Sequence, residues 1–337
     1  MRIYPVFIPH AGCPHRCLFC AQDRSISQSV VADFKSVTNF LEEVLPQQGD
    51  GEIAFYGGTF SLLPSIQQDQ YLTIAGRFVA SGQVAGIRIS TRPDALDDRC
   101  IARLRISGVT TVEIGCQSFS ESVLTASGRG HTASDSISAV RRCLKAGLQV
   151  GVQLMPGLPG GDAEEALMSL RQALELKPSF VRIYPTVVID GTVLADFWKS
   201  GGYQPWTLDE AVDLCADMLL LCRQVEMPVI RLGLQRDPQL EENLLAGPYH
   251  PAFGQLVRSR LWRRALYHAG SHGKQIYVNP NDLSDVMGHR NENRDWLKRT
   301  RPAVCVIADK AVFRGFLRMS DREVSLIDLS AQGGHYD

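Results

Sequence analysis

The sequence predicts an α/β protein whose core is a partial (β/α)6 barrel, with a small α+β appendage toward the C-terminal end. Short apolar runs alternate with amphipathic segments of helical length, which is the pattern of βαβ units around a parallel sheet. Glycines or polar residues follow each apolar run. Because chemistry in such barrels lies on loops at the carboxyl ends of the strands, we expect the functional residues there.

Six units follow one another along the chain. Each strand is inferred from an apolar run that ends at glycine, proline or a polar residue, and each helix from apolar residues spaced three and four apart. The predicted strands are residues 3–8, 52–58, 86–90, 110–115, 149–154 and 180–185. The predicted helices are residues 34–45, 66–81, 96–106, 133–146 and 163–176, and a further helix at 208–224 precedes a strand at 227–234.

The alternation loosens after about residue 236. There the sequence predicts a loop leading into a basic helix at 247–266, and then a strand with helical turns at 274–299. Residues 303–308 and 313–319 are predicted to form a final strand pair. We therefore expect a core domain at 1–235 and a basic C-terminal extension at 236–337 that could bind the substrate.

Bulk composition limits the class of protein. The chain has 337 residues, of which 45% are hydrophobic, enough to bury a large core. The first apolar run is broken by Pro5 and Pro9, and no apolar stretch approaches the roughly 20 residues of a membrane helix. We expect a cytoplasmic protein without membrane association, whose nine cysteines do not form a disulfide framework.

The net charge of −1 hides an asymmetry along the chain. Residues 251–320 hold 13 Lys and Arg but only 5 Asp and Glu. Such a surplus indicates either a partner that is a polyanion or an ordinary solvated basic surface. The charge count leaves both interpretations open.

Three of the nine cysteines are clustered. Cys13, Cys17 and Cys20 have C-x3-C-x2-C spacing directly after the first strand, whereas the other six stand singly in apolar surroundings typical of small buried side chains. Structural zinc would need a fourth ligand from His10 or His15, and a redox pair of Cys17 and Cys20 would not explain Cys13. Three thiolates on one loop suit an iron–sulfur cluster with one iron left open.

The motif, with Phe19 in an aromatic position before the third cysteine, resembles the signature of radical S-adenosylmethionine (SAM) enzymes. The resemblance implies a 4Fe–4S cluster on Cys13, Cys17 and Cys20, with SAM bound at the fourth iron. It also implies one-electron cleavage of SAM to methionine and a 5′-deoxyadenosyl radical that abstracts hydrogen from a substrate. An electron donor of the flavodoxin or ferredoxin type would then be a partner.

The loops after the later strands support this resemblance, which implies that they contact SAM. "YGGTF" resembles the glycine-rich loop of the family, where Gly57, Gly58 and Thr59 would approach the SAM amino group. Arg129 resembles the arginine that pairs with the SAM carboxylate. The remaining contacts implied by position, to the ribose, the methionyl group or the adenine, are Ser90, Gln117, Gln153 and Tyr184.

Longer segments narrow the resemblance. "FYGGTFSLLP", "STRPDAL", "VEIGCQSFSESVL", "RGHT", "MPGLPG" and "IYPTVVIDGTVLADFWKSGGY" resemble the core of the catalytic subunit of Elongator, which modifies the wobble uridine of tRNA. Oxygen-independent coproporphyrinogen oxidase is a more distant resemblance. The chain departs from Elongator in its shorter cysteine spacing, in Ser90 where Elongator has glutamate, and in lacking a glycine-rich loop typical of the acetyltransferase domain.

Three functions follow from these observations. The first is a radical enzyme that modifies tRNA or another RNA, with no DNA partner, using basic and aromatic residues of the extension. The alternatives are a radical enzyme for a small molecule or protein side chain, and a non-catalytic iron–sulfur scaffold. In the first of these functions, basic and aromatic residues of the extension would bind RNA, unless the aromatic side chains only form the core of the extension. These residues are Arg258, Arg260, Trp262, Arg263, Arg264, Tyr267, Trp296, Arg299 and Arg301.

Overall fold

The computed structural model describes residues 2–8, 13, 17–20, 33–269, 275–320 and 322–331. The strands are β1 (Ile3–Phe7), β2 (Glu52–Tyr56), β3 (Gly86–Thr91), β4 (Val109–Gln117), β5 (Gln149–Leu154), β6 (Phe180–Ile183), β7 (Val188–Ile189), β8 (Val229–Leu232), β9 (Leu244–Ala246), β10 (Gln275–Val278), β11 (Cys305–Ala308), β12 (Phe316–Met319) and β13 (Arg322–Ser325). The helices are α1 (Phe34–Val44), α2 (Ser65–Ala80), α3 (Asp98–Ile106), α4 (Glu121–Ala126), α5 (Ala133–Lys145), α6 (Ala163–Glu175), α7 (Val193–Lys199), α8 (Leu208–Gln224), α9 (Pro238–Asn243), α10 (Phe253–Ala269), α11 (Leu283–Met287), α12 (Glu292–Thr300) and α13 (Leu326–Ser330).

These elements form two compact units. The first comprises Met1–Trp206 and Gln235–Pro248, and the second comprises Thr207–Leu234 and Tyr249–Asp337. The predicted domains, 1–235 and 236–337, stay a prediction. Within the described residues, no helix combines the length and the apolar character that crossing a membrane requires.

The first unit contributes β1 to β6 to a parallel sheet in which they lie side by side in chain order. Strands in sequential order, separated by helices, are the arrangement that the sequence predicted for a partial (β/α)6 barrel, and this fold class is confirmed. The six predicted strands and the five predicted helices that separate them are all present, with ends that differ by only a few residues. The carboxyl ends of the strands therefore meet at one edge of the sheet.

The two faces of this sheet differ in polarity. Alternate residues on one face are aliphatic or aromatic and are fully buried, as in β2 and β3 with Ile53, Phe55, Ile87 and Ile89. The other face carries a set of polar and charged residues that hydrogen bond to one another across the strands: Glu52, Tyr56, Arg88, Glu113 and Arg182. The apolar face suits the covering helices, and the polar face lines the inside of the partial barrel.

Among the short helices of the first unit that were not predicted, two lie near the cysteine loop. Helix α4 follows β4, and α7 follows β7 after an N-cap in which Thr192 accepts a hydrogen bond from the amide of Ala195 at 3.0 Å. Each has fewer than two full turns, too few for an apolar repeat to be visible in the sequence. Both lie near the cysteine loop, because Leu18 accepts from the amide of Leu194 and donates to the carbonyl of Ser127.

The second unit combines helices with a four-stranded sheet of order β11-β10-β12-β13. The predicted final strand pair is wrong, because β10 lies between β11 and β12 and pairs with β11 in parallel and with β12 in antiparallel orientation. The partner of β12 at its other edge is β13. On α8, Cys215 and Cys222 are fully buried, as expected for cysteines that pack in a core.

Candidate active site

The cysteine loop follows β1 at the edge where the strands end. Cys17 is buried, and Cys13 and Cys20 are half-buried. The pKa of the Cys20 thiol is raised to about 12, first by burial and then by the neighbouring Cys17 and Cys13. His10 and His15, the alternative zinc ligands, lie outside the described residues. The three thiols are thus near enough to repel one another as thiolates, a repulsion that bound iron would offset.

The donor set fits an iron–sulfur cluster better than a single ion. Among the residues that the structure describes, no group of three or more His, Cys, Asp or Glu side chains converges as ligands of one metal ion would. In a cubane cluster each cysteine binds a different iron, so its three thiolates need not converge on one point. Three soft thiolates on one short loop therefore remain suited to a cluster.

The loop after β2 approaches the first cysteine. Gly57 has a backbone φ of +99°, a conformation that glycine adopts without strain. Thr59 is buried, and its hydroxyl lies 3.2 Å from the Cys13 sulfur. Gly58 and Ser90, at the ends of β2 and β3, line a common narrow cleft. The structure thus brings the predicted glycine loop to the cysteine loop.

The next two strands bring two predicted amides together. Gln117 ends β4 at a bulge with φ +68°, which is strained for a residue other than glycine, asparagine or aspartate. Its side-chain oxygen accepts a hydrogen bond from the Gln153 amide at 3.2 Å. A side chain at Gly115 would come within 2.7 Å of the Gln117 amide nitrogen, so this amide would have to shift to admit one. Strained backbone of this kind is concentrated at functional sites.

Arg129 is a buried cation beside the cysteines. It donates from Nη1 to the Cys17 sulfur at 3.2 Å and from Nη2 to the Gly115 carbonyl at 2.6 Å, and its Nε is buried without a hydrogen-bond partner. Across the described ranges, no carboxylate forms an ion pair with it. A buried guanidinium is costly without an anion, so the residues present fit a bound anionic group.

Two further buried side chains near Arg129 were not predicted from the sequence. Arg92 is buried, pairs with Asp94, donates to the carbonyl of Arg129 and lies 4.0 Å from the Cys17 sulfur. Burial and then the Arg129 charge lower the pKa of His131 to about 4, so its imidazole is neutral near pH 7. Arg92 lies in "STRPDAL" and His131 in "RGHT", and their places in these two segments were the available signal.

A network of charged side chains on the inner face of the sheet was also not predicted from the sequence. Glu113 accepts from the Tyr56 hydroxyl at 3.0 Å, from Arg88 at 2.6 Å and from Arg182. Tyr184, predicted to border SAM, accepts from Arg182 instead of contacting another predicted site residue. Glu52 completes the network through Arg88. Two carboxylates balance two guanidinium groups, as buried charges require.

Phe19, in the cysteine loop, packs against an apolar cluster of the first unit. With Leu18 it packs against a buried apolar cluster of Val188, Leu194, Ala195 and Tyr203. Next to this cluster is a cavity of about 860 Å³, lined by Leu18, the 157–161 loop, α7 and Trp206. None of the residues predicted to contact SAM is part of the lining of this cavity.

The basic helix α10 is largely neutralised within the second unit. Arg260 pairs with Asp209 and Asp213, and Arg264 pairs with Asp217 at 2.5 Å. Arg258 pairs with Asp285 at 2.7 Å. Trp262 and Trp296 are only 2% and 4% exposed, so they belong to the core. The structure therefore favours a packing role for these residues over RNA binding.

Comparison with known proteins agrees with the cysteine loop and the sheet. Residues 7–173 match the family model of the Radical SAM superfamily, and residues 178–263 match that of the Radical_SAM C-terminal domain. A tRNA uridine(34) acetyltransferase of Methanocaldococcus jannaschii is 37% identical over 138 residues, which are 40% of this chain and 26% of that protein. Elongator complex protein 3 of Dictyostelium discoideum is 30% identical over 217 residues, 55% of this chain and 38% of that protein.

Solved structures give the same result. The Elp3 of Methanocaldococcus infernus, with residues 1–46 deleted, superimposes with a TM-score of 0.60 at 26% identity, covering 69% of this chain and 59% of that chain. HydG, a maturase of the [FeFe]-hydrogenase, has the same fold with a TM-score of 0.54 at 13% identity, covering 76% of this chain and 54% of that chain. The chain spans about a quarter to two fifths of the length of the two curated relatives.

Proposed function

Because this chain belongs to the radical SAM superfamily and is an enzyme of that class, we propose that it uses a SAM-derived radical to modify RNA, with tRNA as the substrate. The observation that carries the proposal is the buried Arg129, which has an unpartnered Nε and lies beside a three-cysteine loop. The cofactors of such an enzyme are a 4Fe–4S cluster and SAM. When bound, they supply reductive cleavage of SAM and hydrogen abstraction from the substrate.

The residues of this chain then have distinct roles. Cys13, Cys17 and Cys20 hold the cluster. Arg129 donates to the SAM carboxylate, while the Gly57–Gly58 backbone leaves room for the amino group. The contacts proposed for the remainder of SAM are Phe19, Thr59, Ser90, Gln117, Gln153 and Tyr184.

The RNA part of the proposal is supported by the curated relatives. Both named relatives match part of this chain, and one is a tRNA uridine(34) acetyltransferase by name. The surplus of basic residues in the extension had suggested RNA binding, but arginines of α10 pair with aspartates, so this helix does not support it. An electron donor of the flavodoxin or ferredoxin type and a cytoplasmic location complete the proposal.

A small-molecule substrate is a second candidate, favoured by the cavity of about 860 Å³ beside Leu18. Pockets for small ligands commonly have volumes of roughly 300–1,000 Å³ and mostly apolar linings. The side chains of Phe197, Tyr203 and Trp206 give this one an aromatic lining. The same experiment distinguishes the two candidates.

We expect bulk tRNA to increase the formation of 5′-deoxyadenosine by the anaerobically reconstituted protein with SAM and dithionite. A bound substrate gives the radical a productive hydrogen to abstract, so turnover rises and a new modified nucleoside appears in the tRNA digest. Chromatography and mass spectrometry measure both products, and tRNA incubated without SAM is the control. If tRNA neither binds at low salt nor changes turnover, the RNA substrate is excluded and the small-molecule candidate is favoured.

We expect Arg129→Ala to weaken SAM binding about 10- to 150-fold, because a hydrogen bond to a charged group contributes about 1.5–3 kcal/mol. Equilibrium binding of SAM to the reconstituted protein measures this, with iron content checked in parallel. The matched control is Arg141→Ala, an exposed arginine of α5. Unchanged SAM affinity in Arg129→Ala at equal iron content would remove Arg129 from the SAM site.

A further inference from the structure

The four-stranded sheet of the second unit has one covered face. Ile276, Val278 and Leu317 are fully buried, and Met319 is 8% exposed. Since side chains alternate between faces along a strand, the residues between them point to the opposite side. That opposite side is more exposed and has a different composition.

The open face of this sheet, defined by Tyr277, Phe313, Phe316 and Arg318, carries aromatic rings and a guanidinium. Tyr277 and Arg318 are direct partners across β10 and β12, and the Arg318 guanidinium carbon lies 4.9 Å from the centre of the Tyr277 ring. Phe316 is 36% exposed on the same strand as Arg318, two residues away and hence on the same side.

Phe313 extends this surface. Its side chain is 72% exposed, and its ring centre lies 6.4 Å from that of Phe316 at an angle of 67°. Single exposed apolar residues are common, but neighbouring exposed aromatic rings on one sheet face indicate an interaction site. A partner bound at this face would bury both phenylalanine side chains, which are exposed in the free protein.

The chain segment that contains β11, β12 and β13 is basic. Residues 298–325 contain seven Lys and Arg but three Asp and Glu. Lys298, Arg299, Lys310 and Arg322 are exposed, and Arg314 is 70% exposed although it pairs with Asp282. Arg318 pairs with Asp309 and still stacks over Tyr277. This excess of positive charge is complementary to a polyanion.

We propose that the open face binds single-stranded RNA, with bases stacked on Tyr277 and Phe316 and phosphates held by the surrounding basic residues. Sheets that present aromatic rings to solvent bind RNA bases in this way, and stacking is tolerant of sequence because every base has a π-face. The inference rests on the proposed function and names the surface that would hold the substrate. It assigns RNA binding to this sheet instead of to helix α10, whose arginines pair with aspartates.

Nucleic acid fits this face better than a protein partner does. The exposed rings lie on a sheet whose chain segment has a surplus of basic residues, and bases stack on such rings while phosphates reach nearby cations. A protein-binding surface is typically depleted of lysine, whereas Lys298 and Lys310 are exposed in this segment. A protein partner remains an outcome that the test can reveal.

The test measures binding of a fluorescent single-stranded RNA of roughly 12 nucleotides to the full chain by anisotropy at low salt. We expect Tyr277→Ala and Phe316→Ala each to raise the Kd about 5- to 150-fold, since stacking contributes about 1–3 kcal/mol per base. Phe316→Tyr keeps the ring and should bind within about twofold of wild type. Ile106→Ala, at the exposed end of α3 in the first unit, is the matched control.

Each outcome has a defined meaning. If wild type binds RNA and both alanine variants bind equally well, the open face is not the RNA site, while the proposed function stands. If wild type binds no RNA, both ideas are overturned. Equal affinity for duplex and single strand would contradict stacking, and loss of a protein partner instead of RNA in Phe316→Ala would reassign the face. Phe313→Ala repeats the test at a side chain that is 72% exposed, so this substitution should not unfold the protein.

Discussion

Cys17→Ala is expected to abolish both the iron–sulfur cluster and the cleavage of SAM. Cys17 is the most buried of the three clustered cysteines, and it is the one that Arg129 contacts. With one of three protein ligands removed, a cubane has too few thiolates to be held on this loop. After anaerobic reconstitution, iron should fall from about four per chain toward zero, and 5′-deoxyadenosine should become undetectable.

The matched control is Cys143→Ala. Cys143 is fully buried on α5, distant in sequence from the cysteine loop, and its thiol pKa is raised to about 12 mainly by burial. A small buried thiol in a helix packs as an apolar side chain, so iron content and SAM cleavage should both persist. A Cys17→Ala protein that kept full iron content would show that the cluster has other ligands.

The fold was predictable because its signals are local. Each strand from β1 to β6 carries apolar residues at alternate positions, and each long helix has an apolar repeat, so residues such as Ile87 and Val152 identify their elements directly. The error in the second unit has the opposite cause. The strand between β11 and β12 is β10, which lies about 30 residues earlier in the chain, and such distant pairing leaves no local pattern.

The candidate site was predictable where one short motif defines it. The spacing of Cys13, Cys17 and Cys20 identifies the loop, and glycines mark the close approach after β2. The partners of Arg129 were not predictable, because they depend on how β4 and the cysteine loop meet in space. Glu113 shows the same limit: its partners are set by strand register, which the sequence alone does not give.

Glu113→Ala is expected to lower the free energy of unfolding by about 3–5 kcal/mol. The Glu113 carboxylate is 3% exposed and accepts hydrogen bonds from Arg88, Arg182 and the Tyr56 hydroxyl. Removing it leaves two guanidinium groups on the inner face with one remaining carboxylate, Glu52, on the far side of Arg88. An uncompensated buried charge costs far more than the loss of one hydrogen bond.

The measurement is the urea midpoint of the apo-protein followed by circular dichroism. Lys199→Ala is the matched control, because its ion pair with Asp190 is exposed and should contribute at most about 1 kcal/mol. Glu113→Gln keeps the shape and the Tyr56 hydrogen bond and should fall between the two. If Glu113→Ala unfolds within about 1 kcal/mol of wild type, Arg88 and Arg182 do not depend on this carboxylate, and the inner face is stabilised in another way.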